Sequence, residues 1–247
     1  MKKITRREKR RIQKNKRIRL LVLILVAGAL VYFLFQTSFF SIEKILVEGN
    51  NKVDSKEIVK VSGLHFKENI LKAPLKDAVA KIESLPYIKT ASITRQSRKV
   101  LLIQVEERNE DFSYLSNGQV YVCDEEGRIV KETKATNVFP VVKGLELEDL
   151  TPGENIFERE ELQGLKMIFE VARELDIVDQ YLEIRFQKNH EFGLLRKDNI
   201  KIELGTTENI RYKLNFIENA IKNVEKQGQK VGLIKLNLDP PVVVPRK

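Results

Sequence analysis

One cysteine, no tryptophan and two histidines occur in 247 residues. A single thiol, Cys123, excludes any intrachain disulfide, so the fold must rest on apolar burial. It sits in the run Val120-Tyr121-Val122-Cys123 and reads as a small buried hydrophobe rather than a reactive thiol. His65 and His190 lie 125 residues apart among Lys, Glu and Phe. A metal site needs three or four convergent ligands, and none is expected here. The chain has no P-loop, no Gly-x-Gly-x-x-Gly, no His-Glu-x-x-His and no Gly-x-Ser-x-Gly, and no carboxylate pair in a cleft-like pattern. No cofactor is expected and no positive sign of catalysis is present.

One catalytic pattern does match. Ser41-Ile42-Glu43-Lys44 fits the Ser-x-x-Lys of penicillin-binding enzymes. There the serine precedes the lysine by one helical turn, in a cleft completed by Ser-x-Asn and Lys-Thr-Gly elements. Here Ser41 opens an expected strand and Lys89-Thr90 is followed by Ala91. A membrane-anchored cell-wall enzyme using Ser41 and Lys44 is therefore the alternative reading, and a chance match is favoured.

Acid is nearly missing from the N-terminus. The first nineteen residues hold eleven Lys/Arg against Glu8 alone, and Leu20 to Phe35 then run sixteen residues without charge. With Gln36, Thr37 and Ser38 tolerated, the apolar segment extends to Phe40. Twenty-one helical residues reach roughly 32 Å, close to the ~30 Å hydrocarbon core, which predicts a transmembrane helix over 20–40. Retention of Lys/Arg on the cytoplasmic side puts the tail, 1–19, inside and residues 41–247 outside. A cleaved signal peptide is the competing reading, because Ala27-Gly28-Ala29 imitates a cleavage site. A chain freed there would begin on the remaining apolar run, so an uncleaved anchor in the plasma membrane is expected. The net charge is +9 from 44 basic and 35 acidic residues, and the tail alone supplies +10. The body is thus −1, which excludes a nucleic-acid surface and leaves the tail to anionic lipid of the bilayer.

Past the apolar segment, the pattern changes twice. Ile42, Ile45 and Val47 predict a strand closed by Gly49-Asn50-Asn51. Asp54 or Ser55 caps a helix bearing Ile58, Val59 and Val61, with Gly63 beyond its end. Pro74 opens a second helix with Leu75, Val79 and Ile82 on one face, stopped at Leu85-Pro86. Strands at 88–95 and 100–106 follow. Strand, helix, helix, strand, strand makes a small α+β unit.

From Asn109 the chain becomes richer in strands. They are expected at 112–115, 120–123, 128–131, 139–142, 182–186, 192–195, 200–204 and 234–238, with Asn117-Gly118 as a hairpin turn. Helices are expected at 160–176 and 207–227; the second places Ile210, Leu214, Ile217, Ile221 and Val224 at strict 4-3-4-3 spacing. Such stripes are core. The fold class expected is α+β: the transmembrane helix, the small βααββ unit, then a larger antiparallel sheet domain with two packed helices.

The functional signal lies at the C-terminus. Val242-Val243-Val244 stands between Pro241 and Pro245. Proline cannot donate to a ladder, so this strand belongs at a sheet edge. Edges are usually blunted by charge, yet these valines carry none, the cations coming only at Arg246 and Lys247. Two outcomes stay open from the residues: the segment finishes its own sheet, or it accepts a partner's strand.

This combination resembles the FtsQ/DivIB family of bacterial division proteins. In the small unit, Phe40-Ser41-Ile42 leads into Val47-Glu48-Gly49-Asn50, Leu85-Pro86-Tyr87-Ile88 into Ala91 and Arg95, and then comes Val105-Glu106-Glu107-Arg108. It looks like that family's POTRA domain, over 41–108. In the β domain, 109–247, Asp124 with Gly127, Phe139-Pro140 with Gly144, Leu204-Gly205 and Lys213-Leu214 occur in the family's order. Asn109 stands where the family usually has Pro, and the Pro usual after the second-strand Arg is missing at Gln96 to Arg98. The resemblance implies a non-enzymatic scaffold of the division machinery at the septum. Its partners would be FtsL and DivIC/FtsB-type bitopic proteins and, through septal peptidoglycan synthesis, a division-specific penicillin-binding protein. The family's partner surface, on the last strands, maps onto Lys235, Leu236, Asn237, Leu238, Val242, Val243 and Val244. For the POTRA-like unit a second docking surface is implied by the resemblance alone. A POTRA-type secretion or outer-membrane assembly component would need a following barrel, and the helices at 160–176 and 207–227 oppose it.

Overall fold

The computed structural model describes residues 6–36 and 38–246. Lys2 and Lys3 of the basic tail, Thr37 of the apolar segment and the terminal Lys247 lie outside the described residues.

Helix α1, Arg6–Gln36, joins the cationic tail and the apolar run into one element. Among the described residues no helix is long and apolar enough to cross a membrane, which overturns the transmembrane helix expected over 20–40. The physical reason is length. The α-helix stops at Gln36, and Ser38–Phe40 forms a separate 3-10 turn instead of continuing it. The uncharged part of α1, Leu20 to Gln36, then spans only about 25 Å at ~1.5 Å per residue, short of a ~30 Å core.

The chain divides into two compact units, Met1–Glu83 with Thr90–Glu106, and Ser84–Lys89 with Glu107–Lys247. The first unit's sheet and helices are β1 (Lys44–Glu48), α2 (Ser55–Ser62), α3 (Leu75–Glu83), β2 (Ile88–Arg95) and β3 (Val100–Glu107), the βααββ order read from the sequence. Asp54 caps α2 by accepting the Lys56 N–H at 2.7 Å, and Gly63 ends it in the left-handed region at φ 69°. The sheet order is β1-β3-β2, with β1 parallel to β3. The central strand buries Leu101 and Ile103, and the helices bury Ile58, Ala78 and Ile82. The buried stripe of α3 therefore centres on Ala78 and Ile82, with Leu75 and Val79 only half-buried. Gly49 turns out of β1 at φ +87°, where a Cβ would stand 2.0 Å from the Val105 carbonyl oxygen. Only glycine fits this turn.

The second unit carries nine strands: β4 (Phe112–Ser116), β5 (Gln119–Cys123), β6 (Ile129–Thr133), β7 (Val141–Lys143), β8 (Tyr181–Phe186), β9 (Phe192–Arg196), β10 (Lys201–Gly205), β11 (Val231–Lys235) and β12 (Val242–Pro245). Their order is β12-β11-β10-β9-β8-β7-β4-β5-β6. The sheet is mixed, correcting the antiparallel expectation: β4–β7, β7–β8 and β10–β11 are parallel. In two of the three parallel pairs a helix makes the crossover, whereas β4 and β7 are joined through β5 and β6. Helix α4 (Gln163–Glu174) lies between β7 and β8, and α5 (Ile210–Lys226) between β10 and β11. Their apolar stripes, Leu165, Ile168, Phe169 and Ala172 on α4 and Ile210, Leu214, Ile217 and Ile221 on α5, join the core. Phe169 packs its ring, tilted, with its centroid 4.5 Å from that of Phe112 and 6.0 Å from that of Phe157. Helix α4 starts three residues later than expected because Glu160–Leu162 winds as a 3-10 turn.

Candidate functional site

Strand β12 closes one end of the nine-stranded sheet. Among the described residues, β11 is its one strand neighbour. The two run antiparallel, with Lys235 opposite Val242, Ile234 opposite Val243, Leu233 opposite Val244 and Val231 opposite Pro245, the ladder bulging at Gly232. Just past β12, the Arg246 N–H donates to the Lys230 carbonyl at 2.7 Å. Along a strand, successive residues turn their N–H and C=O to opposite sides. Counting back from Arg246, Val244 and Val242 face β11, while Pro245 and Val243 face outward. The side chains follow the other alternation: Val243 packs against the core, and Val242 and Val244 stand on the open face, each 40 % exposed.

The outward edge is therefore unlike an ordinary one. Pro240, Pro241 and Pro245 have no N–H at all. From 240 to 246 the single outward donor is the Val243 N–H, beside the outward carbonyls of Val243 and Pro245. No charged side chain lies within β12.

The other residues expected at the site are placed differently. Lys235 is the last residue of β11, and its Nζ lies 3.3 Å from the Glu203 carboxylate on β10. A pair this exposed contributes little to stability. Strand β11 ends there, so Leu236, Asn237 and Leu238 belong to the connection into β12 rather than to an alternating strand. Leu236 is buried in the core, and its N–H donates to the Glu203 carbonyl at 2.8 Å. Asn237 packs over Gly205, whose added Cβ would meet the Asn237 Cβ at 3.2 Å. Leu238 is exposed. The structure thus brings Val242, Val243 and Val244 together at the edge, with Lys235 one strand behind. It adds Leu233, beneath Val244 on the open face, and Pro245, the outward residue without a donor. Leu233 escaped the sequence reading because the strand before β12 was placed three residues too late.

The alternative catalytic pair does not form a site. Ser41 makes an isolated bridge with Asn69 and Lys44 opens β1, so the two do not stand one helical turn apart. Cys123 is fully buried, and desolvation pushes its thiol well up, away from the reactive thiolate. Three grooves remain among the described residues. One of about 570 Å³, in the first unit, is lined by Ile45, Val47, Val59 and Phe66, with Ser55 and His65. A shallow one of about 300 Å³ on the open sheet face is lined by Glu183, Arg185, Leu195, Lys201 and Leu233. A third, of about 440 Å³, is lined by Glu160, Glu161, Gly164, Phe186, His190 and Phe192.

Known proteins give the geometry its context. Residues 40–108 match the family model described as POTRA domain, FtsQ-type. The cell division protein DivIB of Clostridium acetobutylicum is 30 % identical over 208 residues, covering 81 % of this chain and 82 % of that protein. DivIB of Clostridium tetani is 26 % identical over 226 residues, 90 % of this chain and 85 % of its own length. The cell division protein FtsQ of Syntrophotalea carbinolica is 22 % identical over 215 residues, 85 % of this chain and 76 % of its length. With a POTRA domain in its first unit and likeness to these proteins along most of its length, the chain belongs to the FtsQ/DivIB family of non-enzymatic cell-division proteins.

Proposed function

We propose that the chain is a scaffold of the division machinery that binds FtsL and DivIC/FtsB-type proteins by adding their backbone to the outer edge of β12. In this reading the POTRA domain, 41–108, and the β domain, 109–247, divide the work, and the second presents the docking edge. Through that assembly the scaffold acts on septal peptidoglycan synthesis and on the division-specific penicillin-binding protein. Its place is the division septum, in association with the membrane. The eleven Lys/Arg of the first nineteen residues support that placement, since each basic residue near an anionic leaflet is worth ~1 kcal/mol.

The observation that carries the reading is the position of β12 at the sheet's end with one face toward β11 and the other open. Val243 N–H, the Val243 and Pro245 carbonyls, and the exposed Val242 and Val244 side chains together suit an incoming extended segment. Concentration of both partners at one membrane lets a short interface suffice. Crosslinking from position 243 in living cells is the test. Adducts with an FtsL or DivIC/FtsB-type protein are expected, and their absence in dividing cells overturns strand addition.

A further inference from the structure

The two ends of the large sheet are guarded by different means. Strand β6, at the far end, carries Lys131 and Glu132 among its five residues. Charged side chains are an ordinary deterrent to edge-to-edge pairing. Strand β12 lacks charge and has exposed valines, the profile of an edge that pairs with itself. What it has instead is Pro245 at an outward position and Pro240-Pro241 immediately before the strand.

Resting on the docking role proposed for β12, we infer that its prolines make the edge selective for a foreign strand and reject a second copy of the same chain. The count of donors carries this. Each copy offers one outward N–H, at Val243, so two copies meeting edge to edge form at most two hydrogen bonds in any register. With Val243 opposite its own counterpart, both Pro245 carbonyls are left without a donor. Shifted so that Val243 meets Pro245, the two Val243 carbonyls are left instead. A foreign strand without proline faces the same edge with its own N–H groups. It donates to the Val243 and Pro245 carbonyls, accepts from the Val243 N–H, and leaves neither unpaired. The edge therefore selects an extended partner that supplies two backbone donors spaced two residues apart, with one acceptor beside the donor that meets Val243. An unsatisfied buried carbonyl is more costly than a made bond is favourable, so the discrimination lies mainly in the orphans of the self-pair. Lys and Glu on β6 discourage edge pairing in general, whereas proline on β12 turns away only strands that share its deficit.

The test restores the missing donor. Pro245→Ala, and Pro245→Ser as a second variant, each add one outward N–H per copy and two hydrogen bonds per self-pair. Sedimentation of the full-length protein in detergent micelles, over a wide concentration range, reads self-association. The wild type is expected to stay monomeric through this edge, and both variants to self-associate about thirtyfold more strongly. Adding Val243→Pro to either variant is expected to abolish the self-association. Monomeric variants, or a wild-type dimer that crosslinks between positions 243 of two copies, would overturn the selectivity. If the variants stay monomeric while Val243→Pro alone still abolishes recruitment, the docking role stands and the selectivity falls. If Val243→Pro recruits normally, the docking role falls and the selectivity with it.

Discussion

Replacing Val243 with proline separates the strand's own pairing from its availability to a partner. The Val243 N–H faces away from β11, so the ladder between β11 and β12 loses no bond when it is removed. Proline's fixed φ near −65° is tolerated on an edge strand at a position whose N–H side faces solvent. The local loss is part of a half-buried valine side chain, on the order of 1 kcal/mol. At the partner the loss is larger. One hydrogen bond worth about 1 kcal/mol disappears, and the partner carbonyl that accepted it is left unsatisfied at about 1–3 kcal/mol. A total near 2–4 kcal/mol weakens binding by about 30- to 900-fold. Val244→Pro is the counterpart, because the Val244 N–H belongs to the ladder opposite Leu233. It is expected to destabilise β12 while acting on the partner only indirectly. Titration of the purified partner into full-length protein in detergent measures the first effect, and the urea midpoint measures the second. A change in Kd below threefold for Val243→Pro, or a midpoint drop as large as that of Val244→Pro, would refute the assignment of facing.

Other changes test the supports of the fold. Gly49→Ala is expected to lower stability by about 3 kcal/mol in urea unfolding, since a Cβ there collides with the Val105 carbonyl and φ is +87°. Arg108→Ala is expected to cost about 3–5 kcal/mol by the same measurement. It strands the Asp124 carboxylate, 2.5 Å from the guanidinium in a pair whose side chains are 9 % and 4 % exposed. For Glu183, burial pushes the pKa up, but hydrogen bonds from Lys143 and Arg185 outweigh it and hold the group below its ordinary value. Its stabilisation is present above the unfolded pKa of about 4.3 and is lost as pH falls through the lower folded value. The urea midpoint should therefore fall with pH across that window, and Glu183→Gln should flatten the slope.

Much of this architecture was legible because local signals and tertiary demands agree. Asp54 and Gly63 bracket α2 in sequence and cap it in space, and the 4-3-4-3 stripe of α5 is the stripe that reaches the core. Agreement failed where the deciding contact was distant. Seen locally, Leu75 and Val79 continue the apolar face of α3, yet the helix rolls to bury the smaller Ala78 with Ile82. The mixed character of the large sheet was missed because alternation along a strand reports its faces and not the direction of its neighbour. The transmembrane expectation failed on a count. Composition treated Leu20 to Phe40 as one helix, whereas α1 ends at Gln36 and a 3-10 turn takes up the last residues. The same insensitivity to where an element stops placed Leu236 to Leu238 in a strand that ends at Lys235.

The facing of Val243, in contrast, is legible in the sequence itself, through parity. A proline inside an edge strand must turn its missing N–H away from the neighbour it pairs with, or the ladder loses a bond. Pro245 is such a residue, and Val243 lies two positions before it, so both must face the same way. Parity follows once residues 242–245 form an edge strand, which the uncharged valines between prolines already indicate. The Arg246 N–H donating to the Lys230 carbonyl supplies the independent check, since it fixes 246, 244 and 242 on the inner side. A one-residue slip would reverse every assignment, pointing Val242 and Val244 outward and wasting Pro245 against β11. The proline thus does more than mark an edge. It fixes the parity of the strand, and with it which single valine can donate to another chain.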